Sequence, residues 1–345
     1  MEHRSPTPDA LLELLDSARA FEVDRPWEHV DDDQPFGVRD PRTNHVILAR
    51  IHGRSGIHFG LCAYPGLEGW ITMQRSLHRL IPSVRLHALH EMRSILCAFV
   101  PSRELEPEDR KFLRDAGWSG RADQRMPRFR SFVPGFLPWR LDADEVRQMT
   151  WILQESLHVA RDAASCPDLF GGGPAHEYLT RQSKLVGGEG RETYAWTPPD
   201  VFAEHPRLVT QLDEVTVARL ARLSVREDVE WEAALTECEE TVRPTPEHRP
   251  ELVFHYFVLD HADGYLHLGE LFTASGALDS IPRALAEVLL NTGYAPRRIL
   301  VNNFMQRAEI APLARIVGSK LQKVRRLPWV ERAHEGLSEF LARGR

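Results

Sequence analysis

Residues 121–140 carry the densest set of side chains that could bind another molecule. The stretch holds five arginines, three phenylalanines, one tryptophan and three prolines in twenty residues. Arginines bind phosphate groups and aromatic rings stack on unpaired bases, so this composition is typical of a nucleic-acid contact. The three prolines and Gly135 equally favour a rigid extended loop that packs its rings into the core and leaves its arginines outward. The predicted binding residues are Arg121, Arg125, Arg128, Arg130, Phe132, Phe136 and Trp139.

Other short patterns lack the spacing that catalysis or metal binding needs. His87, His90 and Glu91 place two histidines three residues apart, but their order matches neither H-E-x-x-H nor H-x-x-E-H, and no third ligand is suggested nearby. Neither of the glycine-rich segments 171–174 and 187–190 follows a strand and opens a helix, and neither contains the lysine of a phosphate loop. No G-x-S-x-G elbow is found. We therefore predict no metal site and no cofactor, and these patterns favour a protein that is not an enzyme.

The composition is that of a globular protein of about two domains. The chain has 345 residues, of which 42% are hydrophobic and 27% charged. It has no apolar run of the roughly 18 to 20 residues that a membrane span needs, and its first residues lack the apolar core of a secretory signal. Its four cysteines lie far apart, which supports neither a disulfide framework nor a zinc ribbon. These features predict a cytoplasmic protein that does not contact membranes.

Charge is distributed unevenly along the chain. The net charge is −7, and residues 200–251 hold thirteen acids and six arginines. Residues 296–345 hold eleven basic residues and four acids. Such asymmetry indicates either a surface that faces a polyanion or two surfaces that attract each other. A nucleic acid and a protein both remain open as partners.

The elements that would position these side chains fall into two regions of mixed α and β structure. Residues 1–164 read as an N-terminal α+β domain that contains the arginine-rich stretch, with a helix capped by Asp142 at its end. Residues 165–205 read as an irregular connection with one short strand near 193–196. Residues 206–345 read as a C-terminal domain, in which 215–223 could be strand or helix.

The C-terminal region has a distinctive order of elements. Residues 252–259 and 265–273 are strands joined by the tight turn 260–264, and helix, strand, helix, strand, helix follow. This order predicts a mixed sheet with helices packed on it, within an α+β fold.

The hairpin and the elements after it resemble the core of ribonuclease H-like folds. That resemblance implies three acids that hold two Mg²⁺ ions for phosphodiester cleavage. Asp260 fits the first place, and Glu331 or Glu335 would be the helix member. Asn302 and Asn303 stand where the middle acid is needed. The resemblance thus implies a degenerate relative, and Asp260 can equally be a residue that only forms the turn.

A second resemblance covers most of the chain. Residues 127–139 match the signature P-x-F-R-S-x-x-P-G-[YF]-x-P-W of an uncharacterised bacterial family that joins two domains of unknown function. The segments 105–109 and 118–121 resemble the same N-terminal domain, and 252–270, 296–301, 310–313 and 335–340 resemble its C-terminal domain. The resemblance implies a fold grouping and a bacterial origin, and it implies no activity, cofactor or catalytic residue.

Two functional hypotheses follow. The first is a non-enzymatic binding or interaction protein that uses the arginine-rich stretch and the basic C-terminal surface. The second is a degenerate ribonuclease H-like, metal-dependent phosphodiesterase centred on Asp260, or a nucleic-acid-associated protein.

Overall fold

The chain folds into two compact units. A computed structural model describes residues 4–40, 42–77, 92–118, 125–186, 189–198, 212–246, 248–302 and 304–343. Contacts between Cα atoms group residues 1–205 and 246–249 as unit 1, and residues 206–245 and 250–345 as unit 2. Each unit combines one sheet with helices, so the predicted α+β class with two domains is confirmed.

Unit 1 is built on a seven-stranded sheet. Its strands lie in the order β5-β4-β3-β2-β1-β6-β7, and every neighbouring pair is antiparallel except the parallel pair of β1 and β6. The strands are β1 (Phe36–Arg39), β2 (Val46–His52), β3 (Gly60–Tyr64), β4 (Ser94–Pro101), β5 (Arg125–Phe132), β6 (Tyr178–Val186) and β7 (Glu189–Thr197).

Helices cover both faces of this sheet. The helices are α1 (Pro8–Asp24), α2 (Gly66–Leu77), α3 (Pro107–Asp115) and α4 (Ala143–Ser165). Helices α1 and α4 pack on one face and bury the larger core, and α2 lies over a smaller cluster that includes Met73 and Tyr64. Asp142 caps α4 as predicted, because its side chain accepts hydrogen bonds from the N–H groups of Asp144 and Glu145.

Two segments of unit 1 differ from the sequence prediction. Residues 125–132 form strand β5 and not a rigid loop, and all eight residues pair with β4. The segment predicted as an irregular connection contains the hairpin of β6 and β7, which extends the sheet. The prediction is therefore wrong over β6, whereas the short strand predicted near 193–196 lies within β7.

Unit 2 is built on a five-stranded mixed sheet. The strands are β8 (Ser224–Val242), β9 (Glu251–Asp260), β10 (Leu266–Thr273), β11 (Tyr294–Val301) and β12 (Lys320–Lys323). They lie in the order β10-β9-β8-β11-β12. The first three strands are antiparallel neighbours, and β11 is parallel to both β8 and β12. The predicted hairpin with alternating helices and strands after it is therefore confirmed.

The helices of unit 2 are α5 (Glu214–Leu220), α6 (Ala274–Thr292), α7 (Phe304–Val317) and α8 (Pro328–Arg343). Helices α5, α6 and α7 share one buried cluster with Trp231, Tyr256 and Val258 of the sheet. Alternate residues of the same strands, such as Phe257 and Leu259, point to the other face and pack against α8. No helix in the described ranges is long and apolar enough to cross a membrane.

Candidate functional site

Strand β5 places the arginine-rich stretch at an edge of the unit 1 sheet. Helix α3 supplies the partners of Arg130: both guanidinium NH groups donate to the Asp109 carboxylate at 2.7 Å, and one also lies 3.0 Å from Glu106. Burial opposes the positive charge, but the bonds to Asp109 and Glu106 outweigh it and raise the pKa of Arg130. The Arg130 charge is thus neutralised within its own unit.

The other arginines of the stretch make weaker contacts. Arg125 is exposed and lies over the Phe59 ring, 3.5 Å from its centre. One NH group of Arg128 donates to the backbone oxygen of Glu104 at 3.5 Å. Arg140 is exposed beside Trp139, and Arg121 lies outside the described residues.

The aromatic residues of the stretch pack inward. Phe129 and Phe136 are buried, and Phe132 and Trp139 are partly buried. Backbone hydrogen bonds in both directions between Ser131 and Trp139, at 2.7 and 2.9 Å, close residues 132–138 into a compact loop. A base could not stack on Phe129 or Phe136 without displacing core side chains.

A buried carboxylate that the sequence analysis did not single out lies beside this loop. Glu145 accepts hydrogen bonds from the Ser131 hydroxyl at 2.6 Å and from Arg93 at 3.0 Å. Arg249, which groups with unit 1, lies 3.8 Å from the same carboxylate and is itself buried, which lowers its pKa. The cluster ties β5 to α4 and the segment before β4, so its geometry is that of a structural ion pair.

In unit 2 the structure does not bring the three predicted acids together. Asp260 ends β9 on the sheet face that carries α6, and its carboxylate accepts from the N–H of Ala262 at 2.8 Å. Glu331 and Glu335 lie on α8, which packs on the opposite face. Hydrogen bonding to Arg326 lowers the pKa of Glu331, and Glu335 is exposed.

The surroundings of these acids do not complete a metal site. Asn302 follows β11 and is exposed, and Asn303, His87, His90 and Glu91 lie outside the described residues. Among the residues that the structure describes, no group of three histidine, cysteine, aspartate or glutamate side chains is arranged to hold a metal ion.

One acid of the central strand β8 is buried and has a structural role. Glu232 is fully buried, and one of its oxygens lies 2.7 Å from Nδ1 of His261. The other accepts hydrogen bonds from the backbone N–H groups of Trp329 and Val330 at 3.0 and 3.1 Å. Glu232 therefore caps the N-terminus of α8. Its only sequence signal is an acid within the otherwise apolar run 231–235.

The buried thiol of Cys238 and the side chain of His255 lie close enough to be considered as a nucleophile and its base. Sγ of Cys238 lies 2.9 Å from Nδ1 of His255 across β8 and β9. Burial raises the pKa of Cys238 to about 11 and lowers the pKa of His255. Both groups are therefore neutral at pH 7, and the pair lacks the thiolate that nucleophilic chemistry needs.

The strongest candidate site is a cleft of about 600 Å³ between β10 and α6 in unit 2. Four acids line it, and none of its lining residues in the described part of the chain is lysine or arginine. Glu270 and Glu287 line the cleft, are exposed, and form no ion pair with any described residue. The four acids are Asp260, Asp263, Glu270 and Glu287.

Aromatic rings form one side of the cleft. Tyr265 is 64% exposed, and its ring centre lies 5.0 Å from that of His267, which in turn lies 4.7 Å from Trp231. Burial lowers the pKa of His267, so this imidazole is neutral at pH 7 and adds no positive charge. Tyr294 already carries the guanidinium of Arg226 at 5.1 Å from its ring centre, which shows that its face accepts a cation.

Comparisons with known proteins agree with the division into two units. Residues 12–181 match Domain of unknown function (DUF7309), and residues 216–338 match Domain of unknown function (DUF6930). No curated protein matches the sequence.

One solved structure is similar to part of the chain, the catalytic core domain of BIV integrase. It is 18% identical, with a TM-score of 0.24, and the match covers 33% of this chain and 68% of that one. At this TM-score no role in the present chain follows from it. The two matched domains confirm the predicted uncharacterised two-domain family. The chain thus belongs to a family that joins two domains of unknown function, DUF7309 followed by DUF6930.

Proposed function

We propose that the chain is a non-enzymatic binding protein, and that the acidic cleft of unit 2 takes a positively charged group of a protein partner. One observation carries the proposal: four carboxylates and two tyrosines surround one concave space, and no lysine or arginine lines it in the described ranges. A concave site with convergent polar groups is where ligands usually bind. Lysine and arginine side chains are the protein groups that suit this chemistry.

The physical case for a cation has two parts. A carboxylate and a cation about 4 Å apart attract by roughly 1 kcal/mol in water and about 4 kcal/mol near a protein surface. A cation over the exposed ring of Tyr265 adds about 0.5 to 2 kcal/mol, whereas Tyr294 already carries Arg226. Because Glu270 and Glu287 have no basic partner in the described part of the chain, a bound cation would not have to displace an internal one.

The same charges argue against nucleic acid as the partner. A phosphate backbone placed at the cleft would meet four like charges, which costs several kcal/mol. In unit 1, Arg130 is neutralised by Asp109, so the arginine-rich stretch offers fewer free cations than its composition suggests. A protein partner is therefore favoured over a nucleic acid.

The alternative, a degenerate metal-dependent phosphodiesterase, has less support. Its acids lie on different faces of one sheet: Asp260 is on the α6 side and Glu331 on the α8 side. A two-metal mechanism needs carboxylates that converge on ions about 3.5 to 4 Å apart.

Calorimetric titration of the whole chain with tetralysine at low salt tests the proposal. We expect binding that weakens as salt rises, and at least tenfold weaker binding in the double variant Glu270→Gln/Glu287→Gln. Glu335→Gln is the matched control, because it removes an exposed acid from α8 on the other face and should leave the affinity unchanged. Equal binding by wild type and the double variant would overturn the proposal. Heat of Mg²⁺ or Mn²⁺ binding that disappears in Asp260→Ala would favour the phosphodiesterase.

A further inference from the structure

Strand β10 is an open edge of the unit 2 sheet. It is the first strand in the order β10-β9-β8-β11-β12, and within the described residues no strand pairs with its outer side. Soluble proteins usually protect such edges with lysine, proline or a bulge. The sequence LHLGELFT contains neither lysine nor proline, and the one irregularity lies at its start, between Leu266 and Leu268. Most of the edge can therefore accept another strand.

The side chains of β10 differ between its two faces. Leu268 and Glu270 pair with Val258 and Tyr256 and lie on the face of α6 and the cleft. Leu266 and Leu271 pair with Leu259 and His255 on the opposite face, where they are 50% and 59% exposed. A strand added beside β10 would meet carboxylates on one face and leucines on the other.

We propose that an extended segment of a protein partner adds to β10 as a sixth strand, with basic side chains toward the cleft and apolar side chains toward Leu266 and Leu271. This inference rests on the proposed function, and it specifies the partner as a peptide in which basic and apolar residues alternate. Strand addition obtains its affinity from backbone hydrogen bonds and its specificity from alternate side chains. Alternation is required because successive side chains of a strand point to opposite faces.

Charge complementarity selects this occupant over a second copy of the chain. Two β10 edges placed side by side would bring Glu270 and Asp263 of each copy toward the same acids of the other. Like charges that face each other across strands are destabilising. A basic segment removes that repulsion and adds attraction.

The experiment compares two peptides of equal composition by fluorescence anisotropy with the whole chain. One contains four Lys-Val repeats, and the other contains four lysines followed by four valines. Strand addition predicts at least tenfold tighter binding of the alternating peptide. In an added strand the N–H groups of the lysines lie on one edge and those of the valines on the other, so only one set can donate to β10. Methylating the backbone nitrogens of that set should abolish binding, and methylating the other set should not.

A protein variant provides an independent measurement. Leu271→Lys, at an exposed edge position, should weaken binding of the alternating peptide at least tenfold. Leu12→Lys is the matched control, because Leu12 is 47% exposed on α1 of unit 1 and its variant should bind as wild type does.

The remaining outcomes separate the two proposals. Equal binding of both peptides and of both methylated forms would overturn strand addition and leave the cation cleft intact. Failure of every peptide and of tetralysine would overturn both. A dimer of the chain that Leu271→Lys dissociates would identify a second copy as the occupant and overturn the inference.

Discussion

Strand β5 of unit 1 and the cleft of unit 2 are both rich in charge, but they differ in what faces that charge. Arg130 on β5 meets Asp109 and Glu106 of its own unit at 3.0 Å or less. Glu270 and Glu287 face an open cleft without an ion-pair partner among the described residues. Charge density along a sequence is therefore a weaker guide to a binding surface than the neighbours that the fold brings to each charge.

A similar contrast exists among the acids themselves. Glu145 and Glu232 are buried, and each accepts hydrogen bonds from several donors of its own unit. The acids of the cleft, in contrast, lie at a concave surface. Buried, fully bonded carboxylates hold elements together, whereas exposed carboxylates without partners are available to a ligand.

The largest effect that would test this contrast is expected for Glu232→Ala. The variant removes a fully buried carboxylate from two backbone N–H groups of α8 and from His261. We expect it to lower the free energy of unfolding of unit 2 by about 4 kcal/mol. Urea unfolding measures this loss, and Glu270→Ala in the cleft should change stability by less than about 0.5 kcal/mol. Equal losses in both variants would remove the distinction between the two kinds of acid.

A smaller loss is expected for Arg130→Ala in unit 1. Its side chain is 14% exposed, and its two bonds to Asp109 are partly shielded from water. Breaking the pair leaves the Asp109 carboxylate without its counter-charge and should cost about 3 kcal/mol. Arg140→Ala, at an exposed position, should cost less than about 0.5 kcal/mol in the same denaturation experiment. If Arg130→Ala leaves stability unchanged but weakens binding to a polyanion, β5 is a recognition surface after all.

The smallest effect is a loss of stability at low pH that is due to His52, the last residue of β2. Burial and the nearby Arg50 charge lower the pKa of His52 from 6.5 to about 4. Between those values the unfolded chain is protonated and the folded chain is not, so stability falls as the pH drops from about 6.5 to 4 and is then constant. The full shift corresponds to about 3 kcal/mol, and partial exposure of the ring reduces the expected loss to about 2 kcal/mol.

Unfolding curves at pH 7 and pH 4.5 measure this loss. In His52→Gln, the part of this pH-dependent loss of stability that is due to His52 should disappear. Burial also lowers the pKa of His267 in unit 2. The pH dependence of stability in His267→Gln is therefore the matched comparison. An unchanged pH dependence in His52→Gln would mean that the ring is not neutral in the folded chain.

Much of the fold could be predicted because its signals are local. The turn at 260–264 marks the hairpin of β9 and β10, and Asp142 with acids after it marks the start of α4. Strand β5 is not predicted because the three prolines of residues 121–140 favour a loop, although only Pro127 lies within the strand. Proline is tolerated at a sheet edge, where it need not donate to a neighbouring strand, and the burial of Pro127, Phe129 and Ser131 shows the alternation of a strand.

The candidate site could not be predicted for a different reason. Its four acids come from the end of β9, the turn after it, β10 and α6, and they span 27 positions of sequence between Asp260 and Glu287. Of the four, only Asp260 was a candidate site residue, and Asp263 was noted only as part of the turn 260–264. Asp109, the partner of Arg130, likewise lies 21 residues earlier in the chain, which is too far for a local sequence pattern to predict the contact.

The open edge of β10 also bears on how the chain behaves at high concentration. An exposed edge with two accessible leucines is the kind of segment from which proteins aggregate. We expect the acids beside it to oppose this, because their mutual repulsion disfavours the edge-to-edge pairing of two copies. The carboxylates that would attract a basic partner are thus the same groups that we expect to oppose aggregation of the unoccupied protein. We therefore expect that neutralising them by substitution weakens binding of a basic partner and, at high protein concentration, increases aggregation.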